Sequence, residues 1–197
     1  MKLLLVGHSY VRDLWRREVR GFEVGGTVVQ TRYVFKGGAS YETYLNSPEL
    51  LGRIGQESAD IVVVILAGNS IKDSVTNQQI YEKATLFYRR LRIIFPSAIF
   101  VAAEVEQRFY ELGNYWGCPV GLEYKRRRQA INTFLKRFKE KQHLLRVAGP
   151  QRLDNQDLYR DQVHLTNKGL DRYWKMIIAT VDYVISNNQL LLTTNNN

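Results

Sequence analysis

Short apolar runs alternate with longer amphipathic stretches along this chain, and that alternation leaves few architectures open. The strand candidates are Leu3–Val6, Val28–Phe35, Ile61–Leu66, Ile99–Ala103 and Leu144–Val147. They are short, aliphatic or β-branched, and bounded by Gly, Asp or Pro. Several are apolar throughout, as strands of a parallel sheet must be when helices cover both faces. Between them the spacing predicts helices over Tyr10–Arg20, Pro48–Glu57, Asn77–Phe95, Glu123–Gln142 and Asn167–Ser186. The fourth can line one side with Tyr124, Ile131, Phe134, Leu135 and Phe138 and leave Lys and Arg on the other. Thr166 is a good N-cap for the last, and Gly169 a weak spot in its first turn. The expected result is an α/β sandwich on a mostly parallel sheet, with any site beyond the carboxyl ends of the strands.

A length of 197 residues suits one domain with one good core, expected over 1–186, followed by a polar tail over 187–197. The single Cys118 excludes an intrachain disulfide. Leu3-Leu4-Leu5-Val6 is too short for a signal-peptide core, and Ile61 to Ala67 is far below membrane-spanning length. A cytosolic globular domain is the expectation. The net charge of +9 stands out. Part of the excess falls in Arg12, Arg16, Arg17 and Arg20. Another part falls in Lys125-Arg126-Arg127-Arg128, continuing to Lys136, Arg137, Lys139 and Lys141. Such runs read either as solvated helix faces or as a surface for RNA, DNA or another acidic partner.

Four segments carry chemistry. Gly7-His8-Ser9 is a tight strand-to-helix turn that projects a hydroxyl. Gly37-Gly38-Ala39-Ser40 lets a substrate atom approach backbone N–H groups. Ala67-Gly68-Asn69 places a side-chain amide directly after a buried strand. Asp161-Gln162-Val163-His164 supplies a carboxylate and an imidazole just before the last helix. Ser9, Gly38 and Asn69 all follow strand candidates, so they should gather at one sheet edge. Together the segments offer a nucleophile, a proton carrier and oxyanion donors, which is what ester hydrolysis requires.

In these four blocks, in this order, the chain resembles the SGNH hydrolases, also called GDSL-like esterases. The resemblance spans nearly the whole domain. It implies a flavodoxin-like three-layer α/β/α fold with a parallel five-stranded sheet in the order 2-1-3-4-5. It matches Ser9 to the nucleophile, Gly38 and Asn69 to the oxyanion donors beside the Ser9 amide, and His164 to the general base oriented by Asp161. It further implies hydrolysis of a small acyl or acetyl ester with no cofactor and no metal. Ser9 Oγ and a ring nitrogen of His164 should then lie about 3 Å apart, or somewhat farther without ligand. Two positions depart from the family's pattern. His8 stands where the family usually has Asp before the nucleophile, and Ser70 follows Asn69 where it usually has Asp.

These departures keep a second reading open: an SGNH-like module without catalysis that binds nucleic acid or another acidic partner through its basic faces. A nucleotide-binding Rossmann or flavodoxin protein is more distant, because the first turn lacks Gly-x-Gly-x-x-Gly. His8 reads as a turn residue and His143 as a surface residue at a helix end. Phe109–Leu122, rich in aromatics and glycines, reads either as a border of the site or as a plain surface loop.

Overall fold

Strand β1 (Lys2–Gly7) buries Leu3, Leu4, Leu5 and Val6 completely, which only the middle of a doubly covered sheet allows. The computed structural model describes residues 1–18, 20–108, 121–138, 140–141, 143–145, 158–161 and 163–194, with 144, 145 and 188–194 through their backbone alone. The remaining elements are α1 (Ser9–Arg16), β2 (Gly21–Val24), β3 (Thr27–Phe35), α2 (Tyr41–Leu45), α3 (Pro48–Gly55), β4 (Ile61–Ile65), a 3₁₀ turn (Ala67–Ser70), α4 (Asn77–Ile94), β5 (Ile99–Ala103), α5 (Gly121–Arg137), β6 (His143–Leu145) and α6 (Asn167–Thr194).

The sheet runs β2-β3-β1-β4-β5-β6. From β3 to β6 every pairing is parallel, and those five strands stand in the order expected from the sequence. The sixth strand, β2, was not expected. It pairs antiparallel with β3 through Gly25 and Gly26, both at positive φ, as a tight hairpin turn requires. The last helix runs past the expected end at Ser186 to Thr194; residues 195–197 lie outside the described segments. His143 begins β6 rather than ending a helix, and its ring meets Tyr183 edge-on.

The period of two along each strand divides the core. Leu4, Val6, Val62, Val64, Phe100 and Ala102 face one side and pack with Tyr44, Ile54, Phe87, Leu91, Ile131 and Leu135 from α2 to α5. Leu3, Leu5, Val63, Ile65, Val101 and Ala103 face the other and pack with Val11, Leu14, Tyr173, Ile177 and Val181 from α1 and α6. Three layers result. Each fully buried side chain of this size contributes about 1.5–3 kcal/mol relative to exposure.

Local chemistry starts the helices where the fold needs them. Ser40 and Thr43 form a reciprocal capping box on α2, and Thr76 with Gln79 does the same on α4. Ser47 caps α3, with Pro48 in the first turn. On α5, Lys125 and Arg126 are exposed, but Arg127 is not part of a solvated face. Its guanidinium turns inward and donates to Lys72 O at 2.7 Å, to Asn77 Oδ1 at 3.0 Å and to Val75 O. Among the described residues, no helix is long and apolar enough to cross a membrane.

Candidate active site

Because β3, β1 and β4 are adjacent and parallel, the segments that follow them emerge side by side. Gly7 stands in register with both Phe35 and Ile65. Gly7 has no room for a side chain, since a Cβ there would lie 2.5 Å from Val11 Cγ2 and 2.8 Å from Ile65 O. The edge is further tied by Tyr44, buried behind it, whose hydroxyl lies 2.9 Å from Gly7 O and 3.0 Å from Val34 O.

His8 caps α1, with Nδ1 accepting from Tyr10 N at 3.4 Å and lying 3.4 Å from Ser9 Oγ. Burial, followed by the positive charge of Arg108, the nearby His164 and Arg12, pushes its pKa down to about 3. The ring is therefore neutral across the ordinary pH range, with a lone pair available at the cap. A neutral imidazole thus fills the role a carboxylate could take at this turn, a contribution on the order of 1 kcal/mol. Ser70, the other departure, also has work to do. Its hydroxyl accepts from Tyr41 N at 3.4 Å and donates to Leu66 O at 3.4 Å, joining α2 to the 3₁₀ turn.

Ser9 is the first residue of α1 and is 5% exposed. At a helix's first position its amide has no intrahelical partner. Gly38 sits at φ +70 with open space where a side chain would be, and its amide donates to none of the described residues. Asn69 lies in the 3₁₀ turn, with Nδ2 donating to Ala39 O at 3.3 Å and Oδ1 accepting from Arg108 Nη2 at 2.6 Å. Arg108 fixes which way the amide faces: oxygen toward the guanidinium, nitrogen toward the Gly38-Ala39 segment.

On the loop before α6, His164 Nδ1 lies 2.7 Å from Asp161 Oδ2. Asp161 Oδ1 also accepts from His164 N at 2.6 Å and Val163 N at 3.2 Å, so one carboxylate holds both the turn and the ring. Against the upward push of partial burial, these hydrogen bonds hold the Asp161 carboxyl below its ordinary range. The loop itself is braced by Arg160 N to His164 O at 2.8 Å and Thr166 N to Leu158 O at 2.7 Å. Thr166 caps α6 as expected, its Oγ1 accepting from Gly169 N at 3.2 Å. Gly169 is more than a weak spot, because a Cβ there would stand 2.4 Å from Leu158 O.

Two side-chain hydrogen bonds fasten this loop to the serine's helix: Tyr10, next to Ser9, donates from its hydroxyl to Val163 O, next to His164, at 2.7 Å, and Arg160 donates from Nη2 to Asp13 Oδ2 at 3.2 Å. The two chain ends therefore meet at the edge expected. The Ser9 hydroxyl itself rests on His8, and among the described residues it makes no hydrogen bond to His164. Sequence reasoning gave Arg108 and Tyr10 no part at this edge and read Arg12 only as one of a basic run. Arg12 lies one turn along α1 from Ser9, with Nη1 3.3 Å from where a Cβ on Gly37 would be. The aromatic segment 109–120, Cys118 included, lies outside the described residues.

No family model matches the sequence, and no curated protein is significantly similar to it. Solved structures do resemble it. A protein from Slackia heliotrinireducens described as an SGNH hydrolase superposes with a TM-score of 0.67 at 15% identity, covering 92% of this chain and 98% of its own. A carbohydrate esterase of family 3 from Talaromyces cellulolyticus gives 0.64 at 14%, covering 95% and 99%. A psychrotrophic esterase from Pseudoalteromonas, solved with monoethylphosphonate as inhibitor, gives 0.62 at 12%, covering 94% and 98%. At such identities the likeness speaks for architecture alone, and the architecture of this chain is that of the SGNH hydrolases.

Proposed function

We propose that this chain is a serine hydrolase of small acyl or acetyl esters. The observation that carries the reading is the His164–Asp161 pair at 2.7 Å, on a loop hydrogen-bonded to the helix that Ser9 begins. Ser9 Oγ attacks the ester carbonyl carbon while His164 takes the hydroxyl proton. Asp161 holds Nδ1, which directs Nε2 to the proton transfer and stabilises the imidazolium. The amides of Ser9 and Gly38 and the Nδ2 of Asn69 hold the tetrahedral oxyanion. Collapse breaks the bond to the alcohol, which leaves with the proton from His164. Water, deprotonated by His164, then releases the acid and restores Ser9.

His8 cannot replace His164 as base. A ring whose pKa is pushed down to about 3 binds a proton too weakly to draw one from a serine at neutral pH. Attack therefore requires the Ser9 hydroxyl to turn from His8 toward His164, a change between staggered rotamers.

The test is a fluorophosphonate probe followed by peptide mass spectrometry, in line with the phosphonate inhibition named for the Pseudoalteromonas esterase. Labelling is expected at Ser9 and absent in Ser9→Ala, with loss of p-nitrophenyl acetate turnover in that variant. Asn69→Ala should slow turnover by about a hundredfold while the protein remains folded. Equal slow turnover by wild type and Ser9→Ala, with no labelling of either, would sink the proposal.

A further inference from the structure

Two hydrogen bonds act directly on the candidate site: Tyr10 Oη to Val163 O at 2.7 Å, beside the proposed base, and Arg108 Nη2 to Asn69 Oδ1 at 2.6 Å, at a proposed oxyanion donor. Both donors lie in the field of one buried carboxyl that the proposed mechanism does not use, that of Glu106. We infer that Glu106 regulates the site: as the neutral acid it leaves Tyr10 and Arg108 on their partners, and as the carboxylate it draws them away. The inference rests on the proposed hydrolase reading and deepens it by naming the group that governs the site. Glu106 lies just past the end of β5, at the edge where the candidate site sits, and is 4% exposed. Its backbone is fixed. Tyr124 Oη of α5 donates to Glu106 O at 3.3 Å, while Asn132 accepts from Val105 N at 2.7 Å and donates to Val105 O at 3.1 Å. The side chain cannot follow its segment out to water.

The groups around it come from every neighbouring element: Tyr10 from α1, Tyr124 and Arg128 from α5, Tyr159 from the loop before α6, Tyr173 from α6, and Arg108 from its own segment. Burial first, and the Glu106 charge next, push the pKa of Tyr10, Tyr159 and Tyr173 up, so all three hydroxyls keep their protons. Burial likewise pushes the Glu106 pKa up, opposed in part by its own amide, Tyr173, Arg108 and Arg128. The neutral acid tolerates an Oε1 that has no hydrogen-bond partner among the described residues. A carboxylate shut in this way does not, since it offers about four lone-pair sites that must be met. Tyr173 Oη, also without a hydrogen-bond partner among the described residues, can meet one. The next donors in its field are Tyr10 Oη and the Arg108 guanidinium. Turning the first releases Val163 beside His164, and turning the second releases the amide of Asn69.

The test is the pH dependence of p-nitrophenyl acetate turnover by wild type, Glu106→Gln and Glu106→Met, each corrected with a Ser9→Ala blank. Gln keeps the shape of the acid without its ionisation, and Met keeps its length should a buried amide hinder folding. Rates are compared over the pH range in which circular dichroism shows all the proteins folded. All should rise together at low pH as His164 loses its proton. Wild type alone should then fall behind as Glu106 ionises. The ratio of variant to wild-type kcat/KM should therefore grow by about tenfold or more between about pH 5 and about pH 9. The change should lie in kcat, with KM little altered, because a displaced base slows the chemical step. A merely structural role would shift the rates by the same factor at every pH. Ser9-dependent turnover with a ratio that stays flat or falls as pH rises would overturn the inference and leave the hydrolase reading standing. Absence of Ser9-dependent turnover in wild type would remove both.

Discussion

Replacing Tyr10 by Phe removes one oxygen and tests how much the hydrogen bond to Val163 O positions the loop of His164, with the Arg160–Asp13 pair left in place. The hydroxyl is buried and donates to Val163 O at 2.7 Å; the ring packs edge-on against His8 and Tyr173 at 5.0 and 5.5 Å and would stay in place. Val163 is only partly buried, so water can reach the abandoned carbonyl. The loss should therefore be close to the net value of one bond, about 1 kcal/mol, rather than the larger cost of a stranded polar group. For a domain of this size that corresponds to a fall in Tm of about 2–4 °C. Turnover should suffer more than stability. Val163 adjoins His164, so the proposed base samples more positions once its loop loses this tie, and misplacement by about 1 Å costs on the order of a hundredfold. Scanning calorimetry and p-nitrophenyl acetate turnover, measured on the same preparation, give the two numbers. Hydrogen exchange should quicken at Val163–Leu165 and stay unchanged in the sheet. Wild-type turnover together with the expected drop in Tm would refute the idea that this bond positions His164.

Two other substitutions probe the packing around the loop. Glu106 is buried, its Oε1 has no hydrogen-bond partner among the described residues and burial raises its pKa, so the folded chain keeps this proton longer than the unfolded one. Its contribution to stability is complete below the ordinary glutamate range and is lost as pH rises through the folded pKa. Glu106→Gln should therefore gain on wild type as pH rises, read as a widening gap in urea midpoint, and parallel profiles would rule this out. Gly169→Ala should destabilise by about 1–2 kcal/mol, because a Cβ 2.4 Å from Leu158 O outweighs the gain of about 1 kcal/mol in helix propensity. A higher Tm for this variant would contradict the crowding seen at the start of α6.

What was legible in the sequence was whatever is local or repeats. The runs Leu3–Val6 and Ile61–Leu66 announce central strands by being apolar at every position, and the parallel order follows from the helices between them. Asp161 and His164 are readable as a pair because three residues of spacing let a carboxylate reach both the backbone and the ring of its neighbour. The antiparallel β2 escaped because a four-residue edge strand with every second position only half-buried carries little hydrophobic signal, though Gly25-Gly26 marked its turn. Arg108 and Tyr10 escaped for another reason. Their partners, Asn69 and Val163, lie 39 and 153 residues away, and nothing in the local pattern of an arginine or tyrosine names such a partner. His8 looked like a loss against the family's usual aspartate, yet its lone pair caps the same helix turn.

The span of 153 residues between Tyr10 and Val163 also bears on when the protein comes to life during synthesis. Translation delivers Ser9, Gly38 and Asn69 early, together with the three parallel strands that support them. The proposed base and its carboxylate emerge about 95 residues after Asn69, roughly 5–20 s later at usual elongation rates. Throughout that interval the nascent chain carries the proposed nucleophile and oxyanion donors without the pair proposed to activate them. The last helix must then dock across α1 before the edge is complete, a late and non-local closure of the kind that slows folding. Any chain halted before the segment at Leu158 would be a sheet whose serine lacks its proposed base.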